Sequence, residues 1–234
     1  MAFNQIIEGQ IGLPILLAGE NVCLLPEGAL WWPRRQWVIF ADLHFEKGSF
    51  FAARGQPIPP YDTDRTLDHI EGILDKTQPK ACVSLGDSFH DPEAETRLTQ
   101  ANIARLQNMT RQTQWLWITG NHDPHPPVNL GGEAHQEIQA GPFIFRHEPS
   151  GAWGEIAGHL HPVAKVRANG RSVRRKCFIG DAGRLILPAL GAYTGGLNIR
   201  HAAFAALFSD APKVYALSAN QIYLLSNRRL VPDV

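Results

Sequence analysis

Five short polar motifs constrain this chain more than any other feature. In order they are Ala41-Asp42-Leu43-His44, Gly86-Asp87, Gly120-Asn121-His122-Asp123, His147, and Gly158-His159-Leu160-His161. Four of them follow an apolar run that reads as a strand, and His147 lies inside or at the end of another. A strand ending on Asp, Asn or His delivers a polar side chain to one edge of a sheet. Several such strands bring residues far apart in sequence to one site, at the C-terminal strand ends where open α/β sheets place ligands.

The apolar runs and their spacing supply the rest of the architecture. Val22 to Leu25, Ala29 to Trp32 and Trp37 to Ala41 read as short strands, the first two separated by the turn signal Pro26-Glu27-Gly28. Asp62-Thr63 offers a helix N-cap, and Leu67, Ile70, Ile73 and Leu74 follow at helical spacing up to Pro79. Ala81 to Leu85 is a strand running into Gly86-Asp87. A helical stretch starting at Pro92 carries Leu98, Ile103 and Leu106, and Gln114 to Thr119 is a strand into Gly120.

The second half changes to strands: Phe143 to Arg146, Glu155 to Ala157, Val163 to Val166, Arg174 to Ile179 and Arg184 to Leu187. A helix is expected over Asn198 to Phe208, and a closing hairpin joins Val214 to Leu217 with Ile222 to Leu225. This order predicts an α+β fold, two mixed sheets packed face to face with helices outside, in one domain spanning residues 1–234.

Composition narrows the function classes only a little. Lys plus Arg and Asp plus Glu number 22 each, so net charge selects no partner and local charge must be read instead. The three cysteines, Cys23, Cys82 and Cys177, form no Cys-x-x-Cys pair, and read as reduced, mostly buried thiols. Ile11 to Ala18 is apolar, but Pro14 interrupts it and it is too short to span a membrane. A soluble cytoplasmic protein with no membrane partner is expected.

Asp42 and His44 are two residues apart. On an extended strand such residues share a face, so both reach one cation; His159 and His161 repeat the spacing. Asp87 can offer one oxygen to each of two cations. Asn121 supplies a neutral amide oxygen. This carboxylate, imidazole and amide set without sulfur suits two divalent ions such as Mn²⁺, Fe²⁺, Zn²⁺ or Co²⁺. Two such ions would lower the pKa of a shared water and clamp a phosphoryl group during in-line displacement.

The motif series across residues 42–161 resembles the calcineurin-like metallophosphoesterases. The resemblance implies an α/β/β/α four-layer sandwich. It assigns one metal to Asp42, His44, Asp87 and His161, and the other to Asp87, Asn121, His147 and His159. It also casts His122 as the general acid protonating the leaving oxygen, with Asp123 orienting its imidazole.

Further segments are similar to the PdeM group, the bacterial ligase-associated DNA damage response endonucleases. They are Gly48 to Gln56, Pro59 to Thr63, Lys176-Cys177-Phe178 and Leu187 to Leu197. That resemblance implies a metal-dependent endonuclease in DNA repair, linked to a DNA ligase, a helicase and an exonuclease.

From Lys165 to Lys176 the chain carries six basic residues and no acidic one, with a turn expected at Asn169-Gly170. Arg171, Arg174, Arg175 and Lys176 are therefore candidates for tracking the backbone of DNA, with single-stranded DNA or a damaged end the expected substrate. Lys47 and Arg54 would add to that charge. Phe50 and Phe51 would either stack on an unpaired base or pack as core or lid.

Three other readings stay open: a solvated basic hairpin, a phosphodiesterase or phosphatase for small nucleotides, and a phosphoesterase-fold scaffold that docks repair partners. His90 and Asp91 follow Asp87 closely enough to support it from behind. The cluster Trp31, Trp32 and Trp37 is either core or an exposed contact patch.

Overall fold

The computed structural model describes residues 11–125, 128–168, 171–208 and 211–233. The turn expected at Asn169-Gly170 lies outside the described residues. The first half forms a seven-stranded sheet. Its strands are β1 (Leu13–Leu17), β2 (Glu20–Leu24), β3 (Leu30–Trp32), β4 (Trp37–Phe40), β5 (Ala81–Leu85), β6 (Gln114–Ile118) and β7 (Glu133–His135), side by side in chain order. The first four strands pair antiparallel; β4 to β7 run parallel. Helices α1 (Lys47–Ala52) and α2 (Asp62–Thr77) lie between β4 and β5 in sequence, and α3 (Ala94–Arg97) and α4 (Gln100–Gln112) between β5 and β6.

The second sheet has nine strands. They are β8 (Glu137–Ala140), β9 (Phe143–Arg146), β10 (Glu155–Ala157), β11 (Pro162–Ala168), β12 (Arg171–Gly180), β13 (Leu185–Ile186), β14 (Leu197–Asn198), β15 (Lys213–Leu217) and β16 (Ile222–Leu225). The long strand β12 organises it, pairing antiparallel with β11, β13 and β15. A short helix, α5 (Ala202–Ala205), contributes Phe204 to the apolar cluster on the outer face of this sheet.

Strand alternation makes the layers. Leu17, Leu24, Leu30, Ile39, Val83 and Ile118 from the first sheet meet Phe143, Phe145, Ile156 and Phe178 from the second in one buried cluster. Trp32 sets the inter-sheet contact, with its ring edge-on to Phe143 at 4.8 Å. On the other face of the first sheet, Phe40, Trp115 and Trp117 pack against Leu67, Ile70 and Ile73 of α2 and Leu106 and Met109 of α4. Trp31 and Trp32 are core residues of these two clusters, and Trp37 packs at the edge of the first.

Several local expectations change. Ile11 to Ala18 contains β1, paired to β2 from Leu13↔Leu24 to Leu17↔Glu20. Asp62 does not cap α2; its carboxylate accepts from Gly48 N at 2.9 Å and ties α1 to α2. The helical stretch after Pro92 is two helices, because Thr99 is extended and its hydroxyl accepts from Asn102 N, starting α4 afresh. The helix expected over Asn198 to Phe208 shrinks to α5, since Leu197 and Asn198 pair with β11 and His201 caps what remains. No helix among the described residues is long and apolar enough to cross a membrane.

Candidate metal centre

The motifs converge at the C-terminal ends of β4, β5 and β6, beside the loops that follow β9 and β10. Backbone bonds lock the loops together. Asp42 N donates to Gly86 O at 3.3 Å, His44 N to Asp87 O at 2.9 Å, and Phe45 N to Ser88 O at 2.9 Å. The loop after β13 closes the other side, with Gly191 N donating to Asp42 O at 3.2 Å.

These loops hold Asp42, His44, Asp87, His159 and His161 at φ of 54°, 47°, 47°, 68° and 44°. Left-handed backbone at non-glycine residues costs of order 1–3 kcal/mol each and persists where the surroundings over-determine it. Asp42/His44 and His159/His161 are thus directed inward by turns beyond the strand ends and not by the pleat of an extended strand, which corrects the pleat-based expectation. Gly86 (φ 75°) and Gly120 allow this crowding: a Cβ on Gly86 would strike the His147 ring, and one on Gly120 would strike Asp87.

The donor atoms form two groups about Asp87. In the first, His161 Nε2 lies 3.3 Å from both His44 Nε2 and Asp42 Oδ1, and His44 Nε2 lies 3.8 Å from Asp87 Oδ2. In the second, His147 Nε2 lies 3.4 Å from Asp87 Oδ1 and 2.9 Å from Asn121 Oδ1, with His159 Nδ1 3.1 Å from both His147 Nε2 and Asn121 Oδ1. Each Asp87 oxygen faces one group. Asp42 is fully buried and accepts from His159 N through both oxygens, at 3.1 and 3.0 Å.

The donor chemistry fits divalent cations. His147 Nδ1 donates to Leu85 O at 2.8 Å, which leaves the lone pair of a neutral Nε2 aimed at the Asn121 oxygen. Two acceptors that close repel unless a proton or a cation lies between them. Without a cation the proton takes that place: burial opposes it, but the Asp87 carboxylate and then the Asp42 charge outweigh burial and raise His147 to about 9. Burial opposes the charge on Asp87, but its bond to His147, the charge of His147 and the hydrogen bond from His122 N outweigh burial and lower it to about 2. Burial, then His161, drive His44 down to about 2, so it stands as a neutral ligand.

His122 sits at the open side, its side chain 40% exposed and its Nε2 4.0 Å from Asp87 Oδ2. Its backbone N donates to Asp87 Oδ1 at 2.9 Å. Asp123 does not orient its imidazole. The Asp123 carboxylate turns inward and accepts from the backbone N of Asp87, Gly120, Ser88 and Phe89 at 2.9, 3.0, 2.8 and 3.2 Å. The two neighbours point opposite ways out of one turn, so adjacency in sequence misled.

The imidazole is set instead by His90, whose carbonyl oxygen accepts from His122 Nδ1 at 2.8 Å and whose ring stacks on it at 5.2 Å. His90 Nδ1 also lies 3.3 Å from His44 Nδ1, so its expected support of this site acts on His44 and His122. Asp91 pairs with Arg97. Phe50 and Phe51 are half-buried and pack on the His90 ring, with Arg54 over Phe50.

The basic hairpin divides. Across β11 and β12, Lys165 faces Arg174, Arg167 faces Ser172 and Val163 faces Lys176, so these six share one side. Arg171 and Arg175 lie opposite Ala168 and Ala164, on the side of the outer cluster that contains Ala164 and Cys177. Four residues expected as one track therefore point two ways, as strand alternation requires.

Lys176 is not free for a ligand. Its ammonium donates to Ala189 O, Gly191 O and Thr194 Oγ1, each at 2.8 Å, and braces the loop against Asp42. Burial lowers it to about 8. Arg174 donates to Gly196 O and pairs with Asp233 at 3.2 Å, yet is 49% exposed.

The nuclease MPE of Pseudomonas putida superposes with a TM-score of 0.71 at 28% identity, over 91% of this chain and 98% of that one. A protein of unknown function from Aquifex aeolicus gives a TM-score of 0.38 at 13% identity, over 53% of this chain and 78% of that one. The phosphoesterase Yfce of E. coli gives a TM-score of 0.37 at 11% identity, over 85% of this chain and 97% of that one. No curated protein matches the chain in sequence. The family model for calcineurin-like phosphoesterases matches residues 37–194, which hold every candidate ligand, and the chain belongs to that family.

Proposed function

We propose that this metal-dependent phosphoesterase is a nuclease that hydrolyses phosphodiester bonds of DNA, acting on single strands or damaged ends during repair. The observation that carries the hydrolytic reading is the convergence of six donor residues about Asp87 with His122 beside them on the open side. Asp42, His44, Asp87 and His161 would hold one divalent cation, and Asp87, Asn121, His147 and His159 a second. Bound there, two such ions (Mn²⁺ in this reading) would neutralise the phosphate and activate water for in-line attack.

The chain's own residues supply the rest. His122 carries the proton for the leaving oxygen. The His90 carbonyl fixes Nδ1 as a donor, so Nε2 is the atom that faces the substrate. Its exposure lets a phosphate within a polymer reach it. The Pseudomonas nuclease, by its name and extensive overlap, supports nucleic acid as the substrate. A DNA ligase, a helicase and an exonuclease of the same repair system would be its partners in the cytoplasm.

The test is cleavage of end-labelled single-stranded DNA with Mn²⁺, comparing wild type with Asp87→Ala. Cleavage by wild type and its loss in the variant is the expected result. Failure of metal-loaded wild type to cut DNA, with retained hydrolysis of small nucleotide diesters, would overturn the DNA assignment.

A further inference from the structure

A cleft of about 390 Å³ adjoins the second donor group, with Asn121 and His147 in its wall. Thr119 at the end of β6, Arg146 and Glu148 on either side of His147, and Gln136 with Glu137 line the rest. Gln136 is the single residue between β7 and β8, where the chain crosses from the first sheet to the second. Thr119 N donates to His135 O at 2.9 Å, and Glu137 faces Arg146 across β8 and β9, so strand ends shape the cleft before any ligand arrives. Small-molecule pockets span about 300–1,000 Å³, and this one lies near the lower end.

Charge decides what fits. The Arg146 guanidinium is matched: it donates to Glu137 Oε2 at 2.7 Å and Ser150 Oγ at 2.8 Å, and lies 3.6 Å from Glu155 Oε2. Glu148 is exposed, and among the described residues neither it nor Gln136 makes a side-chain hydrogen bond or an ion pair. An unmatched carboxylate repels a second phosphate. The basic face of β11 and β12 starts from His161, in the first donor group, so the polyanionic backbone is drawn to that side. The base, the uncharged part of a nucleotide, is what the cleft can take.

Hydrogen bonding then sorts the bases. A carboxylate only accepts, whereas the Gln136 amide both donates and accepts and so discriminates less. Cytosine N4, adenine N6 and guanine N2 are amine donors. The thymine imide N–H lies between two carbonyl oxygens, which would meet the carboxylate with like charge. Granted the nuclease reading above, on which this rests, we propose that the cleft seats the nucleobase beside the scissile phosphate, with Glu148 selecting bases that carry an exocyclic amine over thymine.

The test maps cuts at single-nucleotide resolution in end-labelled single-stranded DNA of mixed sequence, with Mn²⁺, for wild type, Glu148→Ala and Glu148→Gln. Wild type should cut beside cytosine, adenine or guanine about ten-fold more often than between thymines, the effect of one hydrogen bond to a charged group. Glu148→Ala should bring that ratio close to one. Glu148→Gln should lower it too, because its amide can donate to thymine O4. The ratio within one lane does not depend on how much protein is folded or loaded, so general damage cannot imitate the result. Uniform cutting by wild type, or the same ratio in Glu148→Ala, would overturn the proposal. Anisotropy in a His122→Ala background, comparing oligodeoxycytidylate with oligothymidylate, reads the preference without turnover. A binding preference that depends on Glu148, in a protein whose wild type cuts no DNA, would sink the nuclease reading and keep the cleft.

Discussion

Replacing Asp123 by Asn separates bracing of the Asp87 loop from orientation of His122. In the wild type Oδ1 accepts from Asp87 N and Gly120 N, and Oδ2 from Ser88 N and Phe89 N. The side chain is 3% exposed, so water cannot take over. Asparagine keeps one oxygen and turns an amide NH₂ toward the other pair of donors. Whichever way it flips, two backbone N–H groups lose their acceptor.

Each orphaned buried donor costs about 1–3 kcal/mol, so the variant should lose roughly 2–6 kcal/mol. At about 2–4 °C per kcal/mol for a chain of this size, a loss near 3 kcal/mol lowers Tm by about 6–12 °C. Urea unfolding of the EDTA-treated proteins measures it: the midpoint should fall with the slope unchanged. Metal affinity should drop with it, because Asp87 N is one of the donors released. A midpoint within about 0.5 kcal/mol of wild type, with a displaced limb in the pH–rate profile, would refute the bracing argument and return Asp123 to His122.

Other predictions follow the same geometry. His122→Ala should keep its cations and its Tm but lose most turnover, with the largest loss on alkyl leaving groups; metal titration and rates across a leaving-group series check it. Lys176→Met leaves Ala189 O without its donor, while Gly191 O still accepts from the Thr194 hydroxyl at 2.7 Å; it should cost about 1–3 kcal/mol in urea unfolding while leaving the salt slope of DNA binding as it was. Arg167→Ala and Arg174→Ala should weaken oligonucleotide binding in anisotropy, whereas Arg171→Ala and Arg175→Ala, on the opposite face of the hairpin, should not.

Without a cation, His147 is raised from 6.5 to about 9. Its folded pKa exceeds its unfolded one, so its contribution of about 3 kcal/mol is fully present below pH 6.5 and lost as pH rises through 9. Cation affinity should rise over the same window, as the competing proton weakens. Unfolding of EDTA-treated wild type against His147→Gln from pH 6 to 9.5 tests the sign, and a constant difference would overturn it.

Sequence alone determined which chemistry the chain could assemble. The donor types are written in the motifs, and the apolar runs Trp37 to Ala41, Ala81 to Leu85 and Gln114 to Thr119 announce the strands that carry them. Runs this apolar must be covered on both faces, which already implies helices on one side and a second sheet on the other. Strands without that pattern were illegible: β7 and β8, Glu133–His135 and Glu137–Ala140, are largely exposed and earn their pairing from neighbours. The division of the basic hairpin into two faces was available from period-two alternation, whereas clustered charge drew the eye to one stripe.

Only tertiary structure decided what the polar side chains hold. Asp123 finds donors 34–36 residues away, Lys176 finds carbonyls in another loop, and Asp42 receives an N–H 117 residues downstream. Hydrogen bonds act over about 3 Å, so their partners depend on how strand ends and loops are brought together. The same closure forces the ligand residues into left-handed backbone, a conformation their identities alone would not have chosen.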